Sequence, residues 1–106
     1  MTIYSLSPAA NASIDEIFIY TLEQWGPDQA RSYLETLFGT FEAIVKGTAR
    51  SRDAKLSFGF EASFVKSGRH YIYWKHLSDG RIGITAIIHE SRQQAIRFAE
   101  AVEFGD

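Results

Sequence analysis

Residues 7–47 read SPAANASIDEIFIYTLEQWGPDQARSYLETLFGTFEAIVKG, and the reading of this stretch as two helices decides the fold. Ser7 can cap a helix, and Pro8 suits its first position, where no backbone N–H is required. From Ala10 onward Ile14, Ile17, Phe18, Thr21, Leu22 and Trp25 recur at spacings of three and four, which places them on one helical face. Gly26-Pro27 ends that helix, the glycine as a left-handed cap and the proline by forbidding continuation. A second stripe, Ala30, Tyr33, Leu34, Leu37, Phe38, Phe41, Ile44 and Val45, keeps helical spacing and fades at Gly47. So short a joint predicts an antiparallel helical hairpin.

Upstream, Thr2–Leu6 is a short β-prone run that feeds the first helix. Downstream, Thr48–Lys55 lacks periodicity and carries Arg50, Arg52 and Lys55 beside Lys46, and reads as an exposed basic connection. The period then changes to two, with Leu56, Phe58, Phe60, Ala62 and Phe64 alternating with smaller or polar residues, which predicts a strand with one buried face. Ser67-Gly68 turns the chain into a strand from His70 to Leu77. Asp79-Gly80, a favoured type I′ pair, turns it again into Ile82–His89. Strict alternation on that last strand sets Ile82, Ile84, Ala86 and Ile88 on one face and Thr85, Ile87 and His89 on the other. Ser91 and Gln94 form a capping box that opens a final helix to Phe104, with Ala95, Phe98, Ala99 and Val102 inward. The order is βααβββα: an α+β fold, a helical hairpin packed on a small, mainly antiparallel sheet with a C-terminal helix.

A chain of 106 residues has room for one core, so residues 1–106 are expected to form a single domain. Hydrophobic residues make up 45% of it and charged residues 23%, the makeup of a folded protein and not of a disordered tail. The absence of cysteine excludes disulfides, thiolate metal sites and a cysteine nucleophile. The N-terminus lacks a basic, then apolar leader, and no apolar run reaches the roughly 18 residues a membrane span needs. Cytoplasmic localisation without membrane contact is the expectation. The net charge of −2 is unevenly spread: residues 1–45 carry six acids against Arg31 alone, whereas residues 46–98 carry ten bases against four acids. Such a basic half is either a solvated surface or a face for an acidic partner. The overall acidity argues against indiscriminate nucleic-acid binding, and nothing signals direct sequence-specific recognition.

Clusters that could perform chemistry are few. His70 and His76 share a strand face but lie roughly 20 Å apart along it, too far to hold one metal. Antiparallel pairing about Asp79-Gly80 sets residue 69 opposite about residue 90, so Arg69 and His89 are expected to be neighbours. Such a pair can steady a phosphate and transfer a proton, or can equally satisfy Glu90 and the cap of the last helix. Tyr71, Tyr73 and Lys75 share a face, as a stacking platform for single-stranded RNA would require. No phosphate-binding glycine loop, nucleophile elbow or zinc-binding HExxH occurs, so neither a cofactor nor a metal is expected.

The pattern as a whole resembles the ParE branch of the RelE/ParE toxin superfamily, from Tyr4 to about Ser91. YSLSPAANASIDEIFIYTLEQWGPDQARSYLETL looks like that family's first strand and helical hairpin, with its Tyr-Thr-x-x-x-Trp-Gly-x-x-Gln-Ala signature. SGRHYIYWK and IGITAIIHESR look like its last two strands. The resemblance implies the toxin half of a type II toxin–antitoxin pair. Its cognate antitoxin would be a protein whose C-terminal segment wraps the toxin, giving a heterooligomer, and its target would be DNA gyrase, inhibited by direct binding. Antitoxin contacts are expected from Tyr33, Leu37, Arg69 and Arg81, and target contacts from Arg92, Arg97 and Phe104. The alternative that the superfamily offers is a RelE-like, ribosome-dependent mRNA endonuclease using Arg69 to hold phosphate and His89 as acid or base. Glu90-Ser91, where such enzymes tend to carry a terminal tyrosine, and the acidic Glu100, Glu103 and Asp106 depart from that pattern.

Overall fold

The computed structural model describes residues 4–53 and 63–92. Strand β1 (Tyr4–Leu6) leads into helices α1 (Pro8–Trp25) and α2 (Pro27–Lys46), followed by β2 (Arg52–Asp53), β3 (Ser63–Ser67), β4 (His70–His76) and β5 (Ile82–His89). The strands form one sheet in the order β1-β5-β4-β3-β2. β1 runs parallel to β5, and every other pairing is antiparallel. The expected α+β architecture of a helical hairpin on a mainly antiparallel sheet is therefore present. Of the expected C-terminal helix, only a first helical turn from Glu90 falls within the described residues. Gln94, Ala95, Arg97, Phe98, Ala99, Val102 and Phe104 lie outside them, as do Leu56, Phe58, Phe60 and Ala62.

The core sits between the hairpin and one sheet face. Ala10, Ile14 and Ile17 from α1 and Leu37, Phe41 and Ile44 from α2 meet Val65, Ile72, Ile82, Ile84 and Ile87 from the sheet. Thr21 belongs to the same buried helical face, where its hydroxyl donates to the Ile17 carbonyl at 2.7 Å and so buries no unsatisfied group. Phe64 and Tyr73 occupy the other sheet face, with Tyr71, Ala86 and Ile88 beside them. Apolar spacing on α1 overstates its buried stripe: Leu22 is partly exposed and Trp25 is 72% exposed. Both lie toward the C-terminal end of α1, away from the central contact that buries Ile14 and Ile17.

Single residues tie the hairpin to the sheet. The Ser7 hydroxyl accepts from the Ala10 N–H at 3.0 Å, capping α1, and donates to the Thr85 carbonyl at 2.8 Å. Gly26 closes two helices at once: its N–H donates to the Leu22 carbonyl, and its carbonyl accepts from Ala30. Its conformation, φ 92° and ψ 173°, is extended in ψ and not the left-handed helical cap expected, because it must turn the chain straight into the next helix. Gly47 does take that left-handed cap, with the paired bonds Thr48 N–H to Ala43 and Gly47 N–H to Ile44 that close an α-helix.

The structure differs from the sequence reading at three further places. The stretch after Gly47 is not wholly an open connection, since Arg52 and Asp53 pair with Phe64 and Ser63 as an edge strand. Ser51 accepts the Trp74 indole N–H at 2.9 Å, which fixes the approach to that strand. The β4–β5 turn is not type I′, because Gly80 alone of its residues has positive φ. Its hydrogen bonds, Gly80 N–H to Leu77 and Leu77 N–H to Arg81, enclose a three-residue loop. On β5 the alternation breaks: Tyr73 pairs with Ala86 but Trp74 with Ile84, leaving Thr85 as a bulge. Ile82 and Ile84 before the bulge and Ile87 after it consequently share the core face, while Ala86 and Ile88 turn to the other.

Candidate functional site

A groove of about 810 Å³ opens between the hairpin and the end of the sheet where β4 begins and β5 ends. Tyr20, Thr21 and Trp25 of α1 form one wall, and Tyr33, Arg69, His70 and His89 close its head. The exposed aromatic surface of Tyr20 (62%) and Trp25 (72%) belongs to this groove. An apolar wall and a compact group of polar residues at one end are what a recognition site for a peptide or helix requires.

The head of the groove is built around the Tyr33 hydroxyl. It accepts the backbone N–H of Arg69 at 2.9 Å and stands 2.6 Å from Nδ1 of His70 and 3.4 Å from the Ser67 carbonyl. The hydroxyl thus meets a backbone donor, a backbone acceptor and the His70 imidazole at one point. Burial holds His70 neutral, lowering its pKa from 6.5 to about 4, with the nearby His89 acting in the same direction and Glu90 against it. Burial also raises the Tyr33 phenol above its ordinary value, opposed by the Arg69 N–H and charge. Because Tyr33 sits on α2 while Ser67, Arg69 and His70 belong to the β3–β4 turn, this one phenol fastens the hairpin to the sheet.

His70 faces His89 directly across the ladder, their ring centroids 5.1 Å apart. His89 Nδ1 accepts the Ser91 N–H at 3.1 Å, so the helical turn after β5 is capped by this imidazole, and Ser91 lies inside the turn instead of preceding it. The expected opposition of residues 69 and 90 is present as a 2.8 Å bond from the Glu90 N–H to the Arg69 carbonyl. The Glu90 carboxylate lies 3.2 Å from Lys66 and 4.0 Å from the Arg69 guanidinium. These partners hold its pKa below the usual value, the Lys66 hydrogen bond foremost.

The structure thus brings Tyr33, Arg69 and His89 together, and Arg92 is exposed just beyond Glu90. Two other expected contact residues stand apart from them. Leu37 is wholly buried in the core (0%), so it supports the hairpin and offers no surface to a partner. Arg81 is at the opposite end of the sheet, bound to Asp79 at 2.8 Å. Trp25 reads in the sequence as part of the core stripe and Tyr20 has no role there, so neither is a sequence candidate; the signal was Trp25 standing immediately before Gly26-Pro27, where a helix runs out of neighbours to bury it. Among the described residues no three His, Asp or Glu side chains could hold a metal ion, and no helix is long and apolar enough to cross a membrane.

The neutral His70 has a measurable consequence. Between about pH 6.5 and 4 the unfolded chain takes up a proton that the folded one refuses, so this contribution is complete above pH 6.5 and declines as pH falls toward 4. Partial exposure screens it to about 1–2 kcal/mol. The thermal midpoint should drop by roughly 5–10 °C from pH 7 to 4.5, and His70→Phe should flatten that slope. An unchanged slope in the variant would assign the pH dependence to other groups.

Comparison with known proteins agrees with this architecture. The family model described as the ParE toxin of the type II toxin-antitoxin system, parDE, matches residues 4–94. Toxin ParE1 of Mycobacterium tuberculosis is 32% identical over 89 residues, spanning 82% of this chain and 88% of that protein. Toxin ParE1 of Caulobacter vibrioides is 30% identical over 89 residues, spanning 83% and 88%, and Toxin ParE of Escherichia coli 25% identical over 103 residues, spanning 97% and 99%. The solved structure of the chromosomal ParDE TA system from P. aeruginosa has the same fold, with a TM-score of 0.64 at 15% identity over 84% of this chain and 96% of that one. The chain belongs to the ParE toxin family of type II toxin–antitoxin systems.

Proposed function

We propose that this toxin acts in the cytoplasm as a binding protein, neutralised by a cognate antitoxin and inhibiting DNA gyrase by stoichiometric contact. The observation that carries the reading is the state of the groove head. His70 is neutral and hydrogen-bonded, His89 Nδ1 is occupied by the Ser91 N–H, and Glu90 is paired with Lys66 and Arg69. These groups hold one another in place, whereas Tyr20 and Trp25 leave the apolar wall uncovered. An antitoxin segment that folds on contact would lay an amphipathic helix against that wall and place acidic residues near Arg69. Gyrase as the target follows from the family resemblance, and the chain's basic half is suited to an acidic surface.

Co-expression with the neighbouring small gene should yield a stable complex, and Tyr20→Ala with Trp25→Ala should weaken it by at least tenfold, since buried aromatics carry most of such interfaces. Purified toxin should block gyrase supercoiling at roughly equimolar dose. Full supercoiling activity at large toxin excess would end the gyrase reading while leaving the antitoxin reading intact. The RNA-cleaving alternative keeps one observation in its favour, since Arg69 and His89 do line one groove. His89→Ala separates the two: a general acid or base contributes about 10²- to 10⁴-fold in rate, so toxicity would nearly vanish if His89 cleaved RNA, and should persist if the toxin only binds.

A further inference from the structure

On the sheet face turned away from the helices, a second hollow of about 320 Å³ is lined by Arg50, Arg52, Phe64, Val65, Lys66 and Tyr71. The register explains why these side chains converge. Arg52 pairs with Phe64, and Lys66 with Tyr71, while Phe64 and Lys66 are two residues apart on β3 and so point the same way. Three cations therefore surround two aromatic rings, and among the described residues no acidic side chain lines the hollow. Lys66 is engaged at its edge, 3.2 Å from Glu90 and 5.9 Å above the Tyr71 ring. Arg50 and Arg52 are exposed and make no ion pair among the described residues. An anion in the hollow would meet both guanidinium groups, neither of which has an ion-pair partner among the described residues.

We propose that this hollow is a contact site for single-stranded nucleic acid, with Arg50 and Arg52 holding backbone phosphate and the Tyr71 ring giving a base a surface to stack on. An acidic peptide would satisfy the arginines, but it would leave the aromatic floor unused. Phosphate beside a flat apolar base matches both halves of the site, and recognition of that kind is independent of sequence. The hollow sits at the small end of ligand sites, room for about one nucleotide. It lies on the opposite side of the sheet from the Tyr20–Trp25 groove, so a protein held in the groove and a strand held here do not compete for the same surface. This inference stands apart from the identity of the toxin's protein target.

The test is fluorescence anisotropy of a labelled ten-residue oligothymidylate titrated with the purified full chain at 50 mM salt. Saturable binding in the range of about 1–100 µM is expected, falling steeply with salt. Arg50→Gln with Arg52→Gln should weaken it by tenfold or more and make the slope of log affinity against log salt shallower by about 1.4, the value for two lost phosphate contacts on a single strand. Tyr71→Ala should weaken binding at least fivefold with the salt slope unchanged, the mark of a lost stacking contact. Both arginines are exposed, so an unchanged thermal midpoint is the folding control for the first variant. No saturable binding, or binding untouched by the double arginine variant, would overturn the proposal. So would a poly-glutamate peptide of equal charge that binds the same arginines more tightly than the oligonucleotide does.

Discussion

Phe41→Ala is expected to destabilise the toxin by about 3–5 kcal/mol, the usual cost of emptying a buried phenylalanine site. Phe41 is completely buried where α2 crosses the sheet, and its ring meets Tyr4 of β1 edge-on at 5.3 Å and Phe38 at 5.6 Å. Its loss would open a void against three elements at once. Tyr4 would lose its aromatic partner, and β1 is only three residues long, so little else holds that ring. Against a total stability of about 5–15 kcal/mol the variant should be largely unfolded at 37 °C and yield little protein without antitoxin. Urea titration measures the effect directly; a midpoint shift worth less than 1 kcal/mol would show that the ring is not packed as described.

Gly68→Ala is the second large expected loss, about 2–4 kcal/mol. The residue has φ +60°, which costs an L-residue roughly 1–2 kcal/mol. A methyl group there would also stand 2.7 Å from both Cε1 and the hydroxyl oxygen of Tyr33. The phenol cannot step aside cheaply, because it accepts from the Arg69 N–H and bonds His70, and each such bond contributes about 1 kcal/mol. The signature is non-additivity. Tyr33→Ala removes the obstacle, so the double variant Gly68→Ala with Tyr33→Ala should lose clearly less than the two single losses combined. Additive losses would place the damage in backbone strain alone.

The helical hairpin and strands β4 and β5 were legible because each rests on a local rule with one dominant period or stop signal. Apolar spacing, Gly26-Pro27 and Gly47 delimit the helices, and counting outward from Asp79-Gly80 placed residue 69 opposite 90. What escaped depends on partners distant in sequence. The bulge at Thr85 leaves no mark in the alternation of β5, since isoleucines occupy both faces; the Thr85 carbonyl is taken by the Ser7 hydroxyl just beyond the neighbouring strand β1, a partner 78 residues away in sequence. Arg52 and Asp53 look like loop residues because a two-residue edge strand has no room to show a period. The groove is half legible: Arg69 and His89 are neighbours by strand pairing and Tyr33 is an expected contact residue, but that its phenol binds Arg69 and His70 and so organises the groove head is set by tertiary packing.

The pairing of β1 with β5 has a consequence in time. Tyr4 lies against Ile82 and Ser7 bonds to Ile84 and Thr85, contacts spanning 78 residues of sequence. A ribosome adds about 5–20 residues per second, so roughly 4–16 s separate the synthesis of Ser7 from that of its partners. During that interval β1 has no neighbouring strand, and Ala10, Ile14 and Ile17 of α1 have α2 to pack against but not the sheet face that completes their core. Closure over so long a loop is slow in its own right. The toxin therefore gains its finished surface only after the chain through β5 has left the ribosome, and an antitoxin already present in the cell meets it at the moment it becomes competent to bind anything.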